Sequence, residues 1–149
     1  ADLVVLGPGS LYTSILPNLL VPEVAAALRR TRARRLFVVN VMTQPGETDH
    51  YSAGDHLDAL LRQTGPGLVD GVVVNTQPVP GALASRYRRE GSEPVSVDSD
   101  LRDHGVRVWA APLLGRPAPP TPRYARHDPD LLARFLLAVR RRTTRRTRS

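Results

Sequence analysis

Two polar segments hold the residue types that could do chemistry. The first, Gly7-Pro8-Gly9-Ser10-Leu11-Tyr12-Thr13-Ser14, directly follows the apolar run Leu3 to Leu6. Glycines let a backbone approach an anion closely, and a serine that opens a helix brings free N–H groups and the positive end of the helix dipole to the same point. That is phosphate chemistry, with Gly7, Gly9 and Ser10 as its candidates. A tight turn fits the glycine pair equally well, because the segment is neither a Walker loop nor the dinucleotide fingerprint.

The second segment packs Asn40, Thr43, Gln44, Glu47, Thr48, Asp49, Asp55 and His56 between positions 40 and 56. An ordinary connection between strand and helix needs far fewer polar groups. Asp49, His50, Asp55 and His56 could serve as Mg²⁺ ligands or as acid and base, since Mg²⁺ takes one or two carboxylates and leaves the rest to water and phosphate. The competing reading is structural: His56 falls on the apolar stripe of a helix, and Asp55 suits a local cap. Zinc is excluded as a motif, for there is no cysteine and no histidine pair at ligand spacing. Ser10 lacks the G-x-S-x-G context of a nucleophile.

These residues need a scaffold, and the apolar pattern supplies one. Short runs that are apolar throughout recur at Leu3–Leu6, Leu36–Val41, Val72–Val74 and Val106–Ala110, which predicts strands buried on both faces. Helical patterns alternate with them. Pro22 opens a segment with Glu23 in its first turn and Arg29 and Arg30 in its last, as the helix dipole favours. Ser52 is placed to cap a helix whose His56, Leu57, Leu60 and Leu61 share a face before Gly65. Further segments run from Gly81 to Arg89 and from Asp98 to His104, and a last helix starts at Asp128, with Pro129 in its first position and Leu132, Phe135, Leu136 and Val139 as its stripe. The alternation predicts an α/β fold, a Rossmann-like three-layer sandwich around a mostly parallel sheet. In such sheets ligands bind outside the carboxyl ends of the strands, where both polar segments and the cluster Asn75-Thr76-Gln77 would converge.

Composition narrows the class. The chain has 149 residues, a formal charge of +7, and arginine as its sole basic side chain apart from histidine. Six of the 21 arginines fall in the last ten residues, which leaves 15 arginines against 14 acids in residues 1–139. A near-neutral body with a basic, disordered tail over residues 140–149 is the expectation, and such a tail alone is a weak basis for nucleic-acid binding, which needs a patterned face or stacking aromatics. The body is expected to offer no second basic surface. No apolar stretch reaches the length of a membrane span, and a cysteine-free chain suits the cytoplasm.

The segments "DLVVLGPGSLYTSILPNLLVP", "NVMTQPGETDHYSAGDHLDAL", "VVVNTQPVP", "RYRREGSEPVSVD" and "RHDPDLLARFLL" resemble the gluconeogenesis factor (YvcK-like) family, which belongs with the 2-phospho-L-lactate transferases (CofD-like) in one superfamily. The resemblance implies a domain roughly twice this length, of which residues 1–139 form the C-terminal part, beginning inside a continuous sheet. An apolar edge left there would favour a homo-oligomer or pairing with the N-terminal half. It implies a cytoplasmic protein that binds a UDP-sugar such as UDP-N-acetylglucosamine, is linked to cell shape and envelope metabolism on gluconeogenic carbon sources, and needs no cofactor or reaction. The sister branch transfers a phospholactyl group onto a deazaflavin with magnesium, which is the alternative. Carried onto this chain, the resemblance makes Gly7, Gly9, Ser10 and Thr13 candidates for the diphosphate or ribose. It makes Asn40, Thr43, Gln44, Gly46, Glu47 and Thr48 candidates for the sugar hydroxyls, and Tyr87 and Arg126 candidates for the nucleotide, through stacking and bidentate phosphate contact.

Overall fold

The computed structural model describes residues 1–115 and 124–144. Four strands, β1 (Leu3–Leu6), β2 (Arg34–Val38), β3 (Gly71–Asn75) and β4 (Arg107–Ala111), form one parallel sheet in the order β1-β2-β3-β4. Side chains alternate between its faces, as pleating requires. Val4, Leu6, Phe37, Val72, Val74 and Val108 meet helices on one side, while Leu3, Val5, Leu36, Val38, Val73 and Trp109 meet a single helix on the other. Hence each central strand reads as an unbroken apolar run.

The first face is covered by α1 (Leu16–Leu19), α2 (Pro22–Arg30) and α3 (Ala53–Thr64). A π-type turn over Leu11–Ile15 leads into α1. In α3 the Ser52 side chain accepts from the Asp55 N–H while the Asp55 carboxylate accepts from the Ser52 N–H, a complete capping box. Leu57 and Leu60 are fully buried beneath it, and Gly65 ends it with φ +78°. The second face is covered by α5 (Pro129–Thr144), whose Leu132, Phe135, Leu136 and Val139 form the stripe that the spacing predicts. A shorter helix, α4 (Gly81–Arg89), stands between β3 and β4 in sequence, followed by a 3₁₀ turn at Ser99–Arg102.

Element boundaries differ from the sequence expectation: β3 reaches one residue further at each end, and β4 is shifted by one residue. Strand β2 begins at Arg34 and ends at Val38, because Arg34 and Arg35 pair with Leu3 and Val4 at the sheet's amino-terminal end, where side chains emerge into solvent. Helix α5 runs to Thr144, so residues 140–144 belong to it, and Arg140 pairs with Asp2 at 3.0 Å. Residues 145–149 and most of the proline-rich run from Pro112 to Pro122 lie outside the described residues.

The near-neutral body does present a second basic surface. Net charge counts signs and not positions, and Arg32, Arg34, Arg35, Arg107 and Arg140 gather at the amino-terminal edge of the sheet. Within that group, Asp70 accepts both the Arg35 backbone N–H and its guanidinium, the latter at 2.6 Å. Burial alone would raise the Asp70 carboxyl; the side-chain and backbone bonds from Arg35 together hold it below the usual carboxylate range.

The chain turns out of β1 at Gly7, which has φ +83° and precedes a cis peptide bond to Pro8. A Cβ at Gly7 would lie 2.9 Å from the Val38 carbonyl oxygen, which is backbone and cannot yield, and 3.1 Å from Ile15 Cδ1. Gly7→Ala should therefore cost about 1–3 kcal/mol in urea unfolding. Wild-type stability in that variant would show that the turn relaxes freely.

Candidate functional site

At the carboxyl ends of the strands lies a cleft of about 670 Å³, in the size range of small-molecule sites. The first polar loop forms one side through Pro8, Gly9 and Ser10, and the second forms the floor through Asn40 to Pro45. The opposite wall comes from Tyr87 and Glu90 at the end of α4, and from Ala125 to His127 ahead of α5.

Hydrogen bonds lock the two loops together. Asn40 Nδ2 donates to the Gly9 carbonyl at 2.9 Å, and its amide also reaches Gln44 Oε1 at 3.5 Å. Ser10 Oγ donates to Glu47 Oε2 at 2.5 Å while accepting from the Thr13 backbone N–H and hydroxyl. The hydroxyl of Ser10 is thus fully engaged, and the Glu47 carboxylate occupies the position beside the N-cap that an anion would take. Thr13 itself is exposed and does not line the cleft.

Of the remaining sequence candidates, several turn inward. Thr43 is buried; its hydroxyl accepts from the Glu93 N–H and its carbonyl from the Ser92 hydroxyl, which ties the floor to the segment after α4. Thr48 is buried and accepts from the Gln44 N–H, closing a local turn. Gly46 has φ +76° at that turn, and its N–H donates to Asp49. Asp55 is the capping residue already described. His56 is buried, with Nδ1 2.8 Å from the Ser52 carbonyl and its ring edge-on to Tyr51. The third cluster is also spent on structure: Asn75 Oδ1 accepts from the Gln77 and Leu113 N–H groups, and Gln77 Nε2 donates to the Gly115 carbonyl. These bonds stitch the exit of β3 to that of β4.

Tyr87 and Arg126 do face the cleft. The Tyr87 hydroxyl accepts from the Ala125 N–H at 3.2 Å, which fixes the phenol ring beside the segment that bears Arg126. The Arg126 guanidinium stacks over the Tyr124 ring at 4.8 Å and is exposed. His127 is a lining residue that sequence reasoning passed over, although it stands in the same RHDP segment. Its Nε2 is buried with no partner, and burial pushes its imidazole below the ordinary range. Among the described residues the cleft therefore offers the Tyr87 ring, the Arg126 guanidinium stacked on Tyr124, the side-chain amides of Asn40 and Gln44, and backbone groups over an apolar base that includes Met42 and Leu132. Among the described residues no three His, Asp or Glu side chains converge as metal ligands.

Two kinds of measurement test this geometry. Gly9 has no positive φ, and a Cβ there would meet Ser14 Cβ only at 3.5 Å. Gly9→Ala should therefore change stability by less than about 0.5 kcal/mol and weaken any ligand whose phosphates approach that backbone; unchanged binding in the folded variant would make the loop a structural turn. The second concerns pH. Burial lowers both His56 and His127, so the folded protein holds them neutral while the unfolded chain takes up protons near pH 6.5. Stability should be full above that pH and fall as pH drops below it. Urea midpoints at pH 8 and pH 5.5 measure the slope, and His127→Gln should flatten it.

Comparison with known proteins places the arrangement. The family profile described as 2-phospho-L-lactate transferase CofD matches residues 1–114. A protein named gluconeogenesis factor from Bacillus subtilis is 46% identical over 109 residues, which is 72% of this chain and 34% of that protein. Its namesake from Halalkalibacterium halodurans is 50% identical over 98 residues, 66% of this chain and 30% of its own. A relative from Aquifex aeolicus is 46% identical over 140 residues and is covered to 42%. A crystal structure of a UPF0052 family member from Bacillus halodurans superposes with a TM-score of 0.85 at 39% identity, covering 92% of this chain and 43% of that one. The chain thus spans less than half the length of these relatives.

Proposed function

This chain belongs to the CofD family, and from that premise we propose that its cleft binds a uridine-diphosphate sugar, UDP-N-acetylglucosamine in first place. The protein would act in the cytoplasm as a nucleotide-sugar sensor linked to cell shape and envelope metabolism during gluconeogenic growth, in keeping with relatives named gluconeogenesis factor. The observation that supports the reading most is the pairing of Tyr87 and Arg126 on one wall with the Gly9–Ser10 backbone on the other. A flat aromatic ring suits a pyrimidine, and a guanidinium suits a phosphate fork. Asn40 and Gln44 lie on the floor between them, where amides can read hydroxyl or acetamido groups.

The Ser10–Glu47 bond shapes this proposal. With a carboxylate beside Ser10, the diphosphate is better matched to Arg126 and the Gly9 backbone than to the Ser10 hydroxyl. Glu47 and its loop then fall to the sugar, whose hydroxyls a carboxylate accepts well. Were magnesium to accompany the ligand, as in the transferase branch, the cleft offers the Glu90 carboxylate on its wall, with Glu47 bonded to the lining residue Ser10. Such an ion would lean on ligand phosphates and water for its remaining coordination.

Calorimetric titration of the full-length protein with UDP-N-acetylglucosamine, UDP-glucose and GDP tests the proposal. Both UDP-sugars should bind and GDP should not. Tyr87→Ala should weaken every uridine ligand by about 1–3 kcal/mol, and Tyr87→Phe, which keeps the ring and loses only the bond from Ala125, should cost less. Arg126→Ala should cost about 1.5–3 kcal/mol as a charged bond is lost, more than Ser10→Ala. Gln44→Leu should shift the preference between the two sugars without affecting UDP. Equal affinity for GDP and UDP-sugars, or no response to Tyr87→Ala, would overturn the uridine reading.

A further inference from the structure

We propose that His127 is a further binding residue of the cleft, whose imidazole donates a hydrogen bond from Nδ1 to a phosphate oxygen of the ligand. The identity of that ligand rests on the nucleotide-sugar reading, which gives His127 no part. The residue lines the cleft beside Arg126 and Pro129, and the chain is pinned on either side of it. The Ala125 N–H donates to the Tyr87 hydroxyl at 3.2 Å, and the Asp128 N–H donates to the Leu113 carbonyl at 2.7 Å. Asp128 in turn caps α5, its Oδ1 accepting from the Leu131 N–H at 2.9 Å. The backbone that carries the ring is thus held before any ligand arrives, as a preorganised contact requires.

The two ring nitrogens meet different surroundings. Nε2 is sealed from solvent and has no hydrogen-bond partner among the described residues. Nδ1 is not sealed in this way, so it is the polar edge that this lining imidazole has left for the cleft. A neutral imidazole carries one proton, and the surroundings decide where it sits. A buried N–H without an acceptor is a rarer defect than a buried acceptor without a donor, which puts the proton on Nδ1 and the bare lone pair on Nε2. Burial also disfavours the cation, which would carry an unpaired N–H at Nε2 as well as a charge. What reaches the cleft is a neutral donor.

The neighbours of that donor select its acceptor. The Arg126 guanidinium stands one residue before it on the same wall, and the 16-residue helix α5 begins at Pro129, with its positive end toward the same segment. The carboxylates nearby are engaged elsewhere: Asp128 accepts from the helix it caps, and Glu90 lies 4.0 Å from Arg86. A sugar hydroxyl would satisfy the N–H but gain little from the positive neighbours, whereas a phosphate oxygen gains from all three. A diphosphate also has more oxygens than one guanidinium fork can occupy, and His127 adds a bond there without adding a second charge.

Two measurements on the full-length protein test the proposal. Long-range proton–nitrogen NMR with isotope-labelled histidine reads the tautomer in the free protein, with His127 assigned by the signals lost in His127→Asn. At pH 8 the proton should sit on Nδ1; a proton on Nε2 would overturn the proposal whatever the cleft binds. Calorimetric titration with UDP-N-acetylglucosamine, UDP and GDP then tests the contact. His127→Ala should weaken UDP-N-acetylglucosamine about tenfold, and UDP by the same factor, since the sugar takes no part. An asparagine amide can place its N–H where Nδ1 stands, whereas a glutamine amide reaches toward Nε2. His127→Asn should therefore recover most of the loss and His127→Gln should not, with circular dichroism showing that each is folded. Equal losses in all three variants, no loss in any, or a loss confined to the sugar-bearing ligand would overturn the proposal. GDP bound with the same response to His127 would sustain it while ending the uridine reading, and failure of all three ligands to bind would end both.

Discussion

The steric constraint on which the first loop depends is the crossing of the chain at Gly7 over the end of β2. There the backbone passes so close to the Val38 carbonyl that a single methyl group would collide with it. Because of that approach the first loop folds back over the sheet's carboxyl edge, where Asn40 can reach the Gly9 carbonyl and Glu47 can reach Ser10. Gly9, two residues on, has no such neighbour, so the two glycines of one motif answer to different demands: the first to the fold, the second to whatever enters the cleft.

How far the sequence could be read follows from what it encodes directly. Strand and helix identities were legible because an apolar run buried on both faces and a stripe at helical spacing leave a pattern in residue type, as in Val72–Val74 and in Leu132 to Val139. Strand ends were less so. Arg34 and Arg35 look like loop residues, yet they belong to β2, because backbone pairing with Leu3 and Val4 does not require an apolar side chain at a solvent-facing end. The edge at which the polar loops gather was legible too, since parallel strands leave their exits at one edge.

Direction was not legible. Thr43, Thr48, Asn75 and Gln77 have the chemistry of ligand contacts, but a polar side chain next to a strand exit serves equally well to satisfy the backbone groups that the ending sheet sets free. Those four make such bonds, as Asn40 does to the Gly9 carbonyl, and nothing in their spacing tells which of them also faces the cleft. His127 shows the opposite error. It sits between a cation and a helix-capping aspartate that both draw attention, and its burial comes from α5 and the cleft wall, which are distant information at the level of the sequence.

Charge placement adds a level that composition conceals. Residues 1–139 are close to neutral as a whole, yet the cleft at the carboxyl edge has both Arg126 and Glu90 in its lining, whereas the amino edge gathers five arginines around two aspartates. Helix α5 joins the two, with Pro129 and Leu132 in one cleft and Arg140 in the other. Its apolar stripe is anchored on the sheet at Leu132 and Val139, within one packed face. The Arg140–Asp2 pair is exposed and contributes little to stability by itself. What holds the basic edge in shape is instead the partly buried Arg35–Asp70 pair, whose guanidinium also donates to the carbonyls of Leu28 and Gly67. That bond set fixes β2 against the end of α2 and the loop that leads into β3.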